Sequence, residues 1–222
     1  RTAEAPAAGP AADYWEGRVS AYRREAAKAA DDPLASRLTY AAARILEGRL
    51  GKTDEARTLY RQAIERDGTN VLAARAARRL ALSAGEAREV LAMLEIEIAN
   101  AAPGERIELL LLASELMSMR LGEVDGAARV LDRARKEAPA DLRPILGLCA
   151  HAHAANQAED LRRQLTALAE VWRDPTVVAA VETEMGRERE RAADNEGAIA
   201  RFAAALGADP ASLAASAGLV RA

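Results

Sequence analysis

Helix-breaking residues recur along this sequence at a nearly constant interval. Successive members are 35 or 36 residues apart, and five of the six are proline: Pro33, Gly68, Pro103, Pro139, Pro175 and Pro210. An interval of this length is typical of repeat architectures, in which one supersecondary unit is copied along the chain. The spacing predicts about five repeats, with boundaries near residues 33, 68, 103, 139, 175 and 210.

A second pattern keeps the same phase as the breakers. It consists of an alanine, a large side chain four residues later and another alanine three residues after that. Its three copies begin 71 residues apart: Ala56/Tyr60/Ala63, Ala127/Leu131/Ala134 and Ala198/Phe202/Ala205. Small alanines allow two helix backbones to approach closely, and a large side chain fills the gap beside them. We therefore predict that all nine residues belong to the core.

The composition favours an all-α fold. Alanine accounts for 56 of the 222 residues, whereas glycine and proline number only 14 and 8. Alanine has the highest helix propensity of all residues. Aromatic residues make up 3% of the chain, and strands need aromatic and β-branched side chains to fill a pleated surface. All-β and α/β folds are therefore excluded.

Each interval divides into two helices. We expect helix starts at Asp32-Pro33, Asp174-Pro175 and Asp209-Pro210, because aspartate caps a helix and proline suits its first position. Capping boxes are expected at Ser83/Glu86 and Asn156/Glu159, and turns at Gly51 and Gly122. The predicted helices cover residues 13–30, 34–50, 53–66, 70–83, 86–101, 104–121, 124–137, 141–155, 157–173, 176–190 and 195–207, with a last helix from 210.

The apolar residues of these helices recur at helical spacing. One stripe comprises Trp15, Val19, Tyr22 and Ala26, and another comprises Leu109, Leu112, Leu116 and Met119. An isolated helix pair cannot cover such stripes, so neighbouring pairs must stack on each other.

The period, the glycine turn and the Ala-x3-aromatic-x2-Ala pattern resemble the tetratricopeptide repeat (TPR). The resemblance covers most of residues 34–210. It implies a right-handed α-solenoid of about five helix pairs with flanking helices. We expect one domain over residues 12–222, preceded by an Ala/Pro-rich linker over residues 1–11.

The resemblance also implies a binding surface, because the first helices of TPR pairs line a concave groove. Six residues of the first two pairs are the expected partner contacts: Arg37, Tyr40, Arg44, Arg75, Arg78 and Arg79. Residues 34–83 carry ten Lys or Arg against five Asp or Glu, so this end is basic. Arginine and tyrosine are also enriched at binding hot spots.

No catalytic, cofactor or metal site is predicted. His151 and His153 lie two residues apart, which places them about 200° apart around a helix, and the same spacing separates Cys149 from His151. No phosphate-binding glycine motif is present. The alternating Glu/Arg run over residues 182–191 fits a solvated helix with ion pairs. We therefore expect a protein that is not an enzyme.

Charge and hydropathy restrict the partners. A net charge of −3 gives no general attraction to nucleic acid, and no apolar run approaches the 18 or so residues of a membrane span. Since the sequence starts at Arg1 with an Ala/Pro-rich stretch, we expect a truncated or processed N-terminus, which leaves cytoplasmic and periplasmic locations open.

The sequence predicts a non-catalytic scaffold or adaptor that binds a protein or peptide in a groove. Two alternatives remain. In the first, the chain is a self-assembling component of an envelope or secretion complex and pairs through the incomplete C-terminal helix, which carries Leu213, Leu219 and Val220. In the second, it recruits substrate for a larger enzyme.

Overall fold

The computed structural model describes residues 9–222, and every regular element within that range is helical. Twelve α-helices and one short π-helical segment, Met117–Leu121, follow one another. The α-helices are α1 Pro10–Lys28, α2 Asp32–Gly48, α3 Thr53–Arg66, α4 Val71–Ala84, α5 Ala87–Asn100, α6 Pro103–Leu116, α7 Val124–Glu137, α8 Leu142–Ala154, α9 Ala158–Val171, α10 Pro175–Arg191, α11 Asn195–Ala208 and α12 Leu213–Arg221.

The predicted succession of helix pairs is confirmed, and most boundaries agree within three residues. α1 begins at Pro10, so it includes two residues assigned to the linker from the sequence. Gly9 is the residue that precedes α1, and residues 1–8 of the predicted linker lie outside the described residues. The π-helical segment that ends the sixth helix was not expected from the sequence.

Several predicted helix caps are wrong. Ser83 lies inside α4, where its hydroxyl donates to the Leu80 carbonyl. The residue that precedes α5 is Glu86, and the residue that precedes α9 is Gln157, which takes the place predicted for Asn156. Neither side chain caps its helix. Asp209 directly follows α11 as its C-terminal cap residue. α12 starts after Ser212, whose hydroxyl accepts from the Ala215 amide. The Asp174-Pro175 start is confirmed. At the first pair, Asp31 is the cap in place of Asp32.

The turn inside each pair reverses the chain through one residue in the left-handed region. Glycine occupies it in three pairs, at Gly51 (φ 66°), Gly85 (φ 74°) and Gly122 (φ 67°). Asn156 (φ 54°) and Ala193 (φ 58°) hold the same conformation in the other two. A residue with a Cβ is strained there, and alanine lacks the side-chain hydrogen bonds that help asparagine to adopt it.

The chain forms two compact units. The first unit ends at Leu109 and also includes Met119–Leu121, and the second unit comprises Leu110–Ser118 and Gly122–Ala222. Within the first, α1 packs on α2, α2 on α3, α3 on α4 and α4 on α5. Within the second, each of α7 to α11 packs on its successor, and α10 also packs on α12. The single domain predicted for residues 12–222 stays a prediction.

Alanines dominate the core of the first unit. Ala42, Ala56, Ala63 and Ala77 are fully buried, and Tyr60 fills the space beside them with no exposed surface. The close helix approach is reinforced where the buried Ser36 hydroxyl donates to the Ala63 carbonyl at 2.6 Å. The predicted core role of the first Ala/aromatic/Ala set is confirmed.

Phe202 has the corresponding place in the second unit. Its ring is fully buried between two glycines, Gly186 of α10 and Gly218 of α12. A Cβ at Gly186 would lie 2.6 Å from the ring atom Cε1, and a Cβ at Gly218 would also overlap the ring. Both positions therefore need glycine for the helices to close around the ring. Leu131 packs in the same way against Gly147.

The predicted apolar stripe of the sixth helix is partly wrong. Leu109 is buried, but Leu112 is 40% exposed and Met119 is 76% exposed. The buried face instead passes through Ile107, Leu110 and Ala113. A run of four leucines fits more than one helical face, and the π-helical segment rotates the residues that follow it.

Candidate functional site

Three of the six predicted contact residues share one face of α2. Arg37, Tyr40 and Arg44 follow one another at helical spacing, so their side chains emerge on one side of the helix. Both arginines are exposed, and neither forms an ion pair with residues 9–222. Tyr40 is half-buried, and its ring lies 5.8 Å from that of Tyr60. This face thus presents two cations around an aromatic ring.

A carboxylate joins this face to α4. Glu47 accepts from Arg79 in a two-point contact, with Nη1 to Oε1 at 2.5 Å and Nη2 to Oε2 at 2.8 Å. The buried Tyr60 hydroxyl donates to the same carboxylate at 2.8 Å. Burial alone would raise the pKa of Glu47, but the bonds from Arg79 and Tyr60, with the Arg79 and Arg44 charges, lower it below its ordinary value. Burial and the Glu47 bond raise the pKa of Tyr60 well above its ordinary value.

A second carboxylate engages the other two predicted arginines of α4. Glu97 of α5 is only 1% exposed, and Arg78 donates to it at 2.6 Å while Arg75 approaches at 3.4 Å. Arg75 also pairs with the exposed Glu105. A buried carboxylate needs such partners, because an unpaired charge inside a protein is costly. Arg78, with 22% of its side chain exposed, therefore stabilises the α4–α5 contact.

These contacts neutralise much of the basic charge counted from the sequence. Arg57 and Arg61 of α3 likewise pair with Glu86 and Glu89 at the start of α5. The basic residues of one repeat thus face acidic residues of the next. We call the exposed surface formed by Arg37, Tyr40 and Arg44 with Arg75 and Arg79 the arginine face. Its role in partner binding stays a prediction.

Glu47 and Glu97 could not be recognised as organising residues from the sequence. Each lies near the end of its helix among other charged residues, and nothing in the local pattern distinguishes it. The one available signal was the acidic segment that follows the basic one, about one repeat later.

Three of the residues considered for chemistry, Cys149, His151 and His153, lie on α8. Cys149 is half-buried against the core residues of α8, α9 and α10, and this burial raises the pKa of its thiol. His151 is half-buried and His153 is exposed. Among residues 9–222, no group of three His, Cys, Asp or Glu side chains is arranged to hold a metal ion. No helix in this range is long and apolar enough to cross a membrane.

The alanine pattern decides the kind of repeat. Its three copies lie in α3, α7 and α11, the second helices of alternate pairs, and each large side chain is at most 8% exposed. Each of the five pairs also turns through one left-handed residue. The fold is TPR-like. TPR-like helical hairpins therefore account for residues 32–208, with α1 and α12 flanking them.

Comparisons with known proteins give matches only among solved structures, since no family model and no curated protein matches the sequence. The C-terminal part of a TPR repeat-containing protein from Cytophaga hutchinsonii is 14% identical, covers 94% of this chain and 95% of its own, and gives a TM-score of 0.49. YrrB, a TPR protein with an unusual peptide-binding site, is 17% identical, with 90% and 97% covered and a TM-score of 0.45. PilW, a type IV pilus biogenesis factor, is 15% identical, with 96% and 100% covered and a TM-score of 0.43. The TPR-like assignment therefore depends on the helix pairs described above.

Proposed function

We propose that this protein is a non-catalytic interaction module that binds a protein or peptide through the arginine face. The observation that carries the proposal is the pair of exposed arginines, Arg37 and Arg44, on either side of Tyr40 without an ion-pair partner in residues 9–222. Arginine and tyrosine contribute strongly to binding because they combine a large contact area with directional hydrogen bonds.

The surroundings of these residues support a preformed surface. Tyr40 packs on Tyr60, and Tyr60 is held by the carboxylate that also binds Arg79. The network fixes α2 against α3 and α4 before any partner arrives. A surface that is already ordered loses less conformational entropy when it binds.

The direct test is quantitative capture from a lysate of the source organism with tagged protein. The double variant Arg37→Ala/Arg44→Ala should recover less of a specific partner, because its two cationic contacts are gone. The matched control is Arg120→Ala/Arg173→Ala, which removes two other exposed arginines that form no ion pair within the described part of the chain. Partner recovery that is equal for both double variants and the wild type would reject the arginine face.

A second candidate is self-assembly through α12. Leu213 is 85% exposed and Val220 is 88% exposed on this nine-residue helix. Exposed apolar side chains of this size favour association when they are grouped. The double variant Leu213→Ser/Val220→Ser should then lower the mass measured by light scattering at high concentration. A monomer mass for the wild type at every concentration would exclude this assembly.

A further inference from the structure

A cavity of about 410 Å³ lies in the second unit, where α8, α9 and α10 approach one another. Ala152, Leu161 and Ala192 supply apolar parts of its wall, and Arg162 and Arg191 supply the cations. It is separate in the chain from the arginine face, which consists of α2 and α4 residues. Cavities that combine apolar walls with a few polar groups are typical of ligand sites.

Arg162 differs from the other half-buried arginines in having no partner among residues 9–222. Four described arginines have a buried Nε without a hydrogen bond: Arg57, Arg106, Arg135 and Arg162. The first three bond through their terminal amines, to Glu89, the Ala101 carbonyl and Asp132. The side chain of Arg162 has no hydrogen-bond or ion-pair partner within residues 9–222. Its terminal amines are not among the buried unpaired atoms, so they remain accessible to a ligand.

The remaining charges of the cavity limit the charge of that ligand. Arg191 donates to Glu188 at 2.6 Å and approaches Glu184 at 3.4 Å, so its charge is already balanced. The Glu188 side chain is only 11% exposed and belongs to the same wall. Arg162 is therefore the one uncompensated cation of this wall, which suits a single negative charge. The second negative charge of a phosphate dianion would find no further unpaired arginine among the described lining residues.

We propose that this cavity binds a carboxylate group carried on a short aliphatic stem, with Arg162 as its counter-ion. The guanidinium donates two parallel hydrogen bonds to a carboxylate, a geometry that a chloride ion cannot use. Ala152, Leu161 and Ala192 cover the stem. The ligand is a glutamate side chain of a polypeptide or a free carboxylic acid, and both offer the same group to Arg162.

The test uses NMR titration of the full chain with N-acetyl-glutamate methylamide and, in parallel, its neutral glutamine analogue. The glutamate compound should shift the Arg162 Nε–H signal and the amide signals around the cavity, and the glutamine analogue should not. In Arg162→Gln the affinity should fall roughly tenfold or more, equivalent to about 1.4 kcal/mol. The control Arg163→Gln removes a neighbouring arginine that is exposed and paired with Asp160, and should change affinity less than about twofold.

Two further ligands complete the experiment. Butyrate that binds as tightly as the glutamate compound would support a free carboxylic acid as the ligand, and weaker binding of butyrate would support a polypeptide. Inorganic phosphate should bind more weakly than either carboxylate. The proposal is overturned if glutamine and glutamate compounds give equal shifts, if phosphate binds best, or if Arg162→Gln and Arg163→Gln behave alike.

Discussion

Replacing Ala193 by glycine should stabilise the second unit by about 1 kcal/mol. Ala193 has φ 58° in the turn between α10 and α11, where three of the other four pairs have glycine. Its Cβ meets the neighbouring carbonyl oxygen in this conformation, which costs roughly 1–2 kcal/mol. Glycine removes that strain. Its greater conformational freedom in the unfolded chain destabilises the folded state by about 0.4–1 kcal/mol, which offsets part of the gain.

The preceding residue provides a matched control. Ala192 is also exposed, but it has φ −81° and ψ 4°, which alanine adopts without strain. Ala192→Gly therefore has only the unfolded-chain effect and should destabilise the protein by about 0.4–1 kcal/mol. The two variants change the same atoms at adjacent positions, so their difference isolates the left-handed backbone conformation.

The measurement is guanidinium chloride denaturation followed by helical circular dichroism. Ala193→Gly should move the unfolding midpoint upward and Ala192→Gly should move it downward, with slopes equal to that of the wild type. If both variants lower the midpoint equally, the turn does not store backbone strain and the equivalence of the five turns is refuted.

Three other predictions concern the packing and ion pairs. Gly186→Ala should destabilise the protein by about 1–3 kcal/mol because the new methyl overlaps the buried Phe202 ring. Gly207→Ala, at an open helical position, should stabilise it by about 0.5–1 kcal/mol. Equal effects of the two variants in denaturation would contradict this packing. Arg78→Ala should lower the free energy of unfolding by about 1–3 kcal/mol because the buried Glu97 carboxylate loses its nearer partner. Arg75→Ala should lower it by less than about 1 kcal/mol. The reverse order would refute the assignment of Arg78 as the main partner of Glu97. Glu47→Gln should lower stability at neutral pH. Its deficit should shrink once the pH falls below the ordinary pKa near 4.5 and vanish only below the lowered native pKa, since a lowered native pKa stabilises only the ionised state; parallel stability–pH curves would argue against it.

The periodicity of the sequence was sufficient to predict the helix pairs. Pro33, Pro103 and Pro175 all lie within the first turn of a helix, and the buried alanines recur at the predicted phase. Short capping motifs were less informative. Ser83 matched a capping box but lies inside α4, because the turn is made one residue after that helix ends, by Gly85. Local side-chain bonds compete with tertiary packing, which here decides where the helix stops.

The candidate site was less predictable than the fold. The resemblance pointed to residues of the first helices, and two of them, Arg37 and Arg44, are exposed. It did not distinguish them from Arg78, whose partner Glu97 is 19 residues away in sequence. Contacts of that kind depend on how one helix rotates against the next. A sequence pattern indicates which face is buried, but not which charges meet across the contact.

Site-specific photo-crosslinking tests the central claim most directly. A benzoyl-phenylalanine residue in place of Arg44 would lie on the arginine face, and one in place of Arg173 would lie on an exposed surface elsewhere. After irradiation in cells of the source organism, the first variant should form one dominant covalent adduct with a polypeptide, and the second should not. The same adducts at both positions, or none at Arg44, would contradict a binding role for this face.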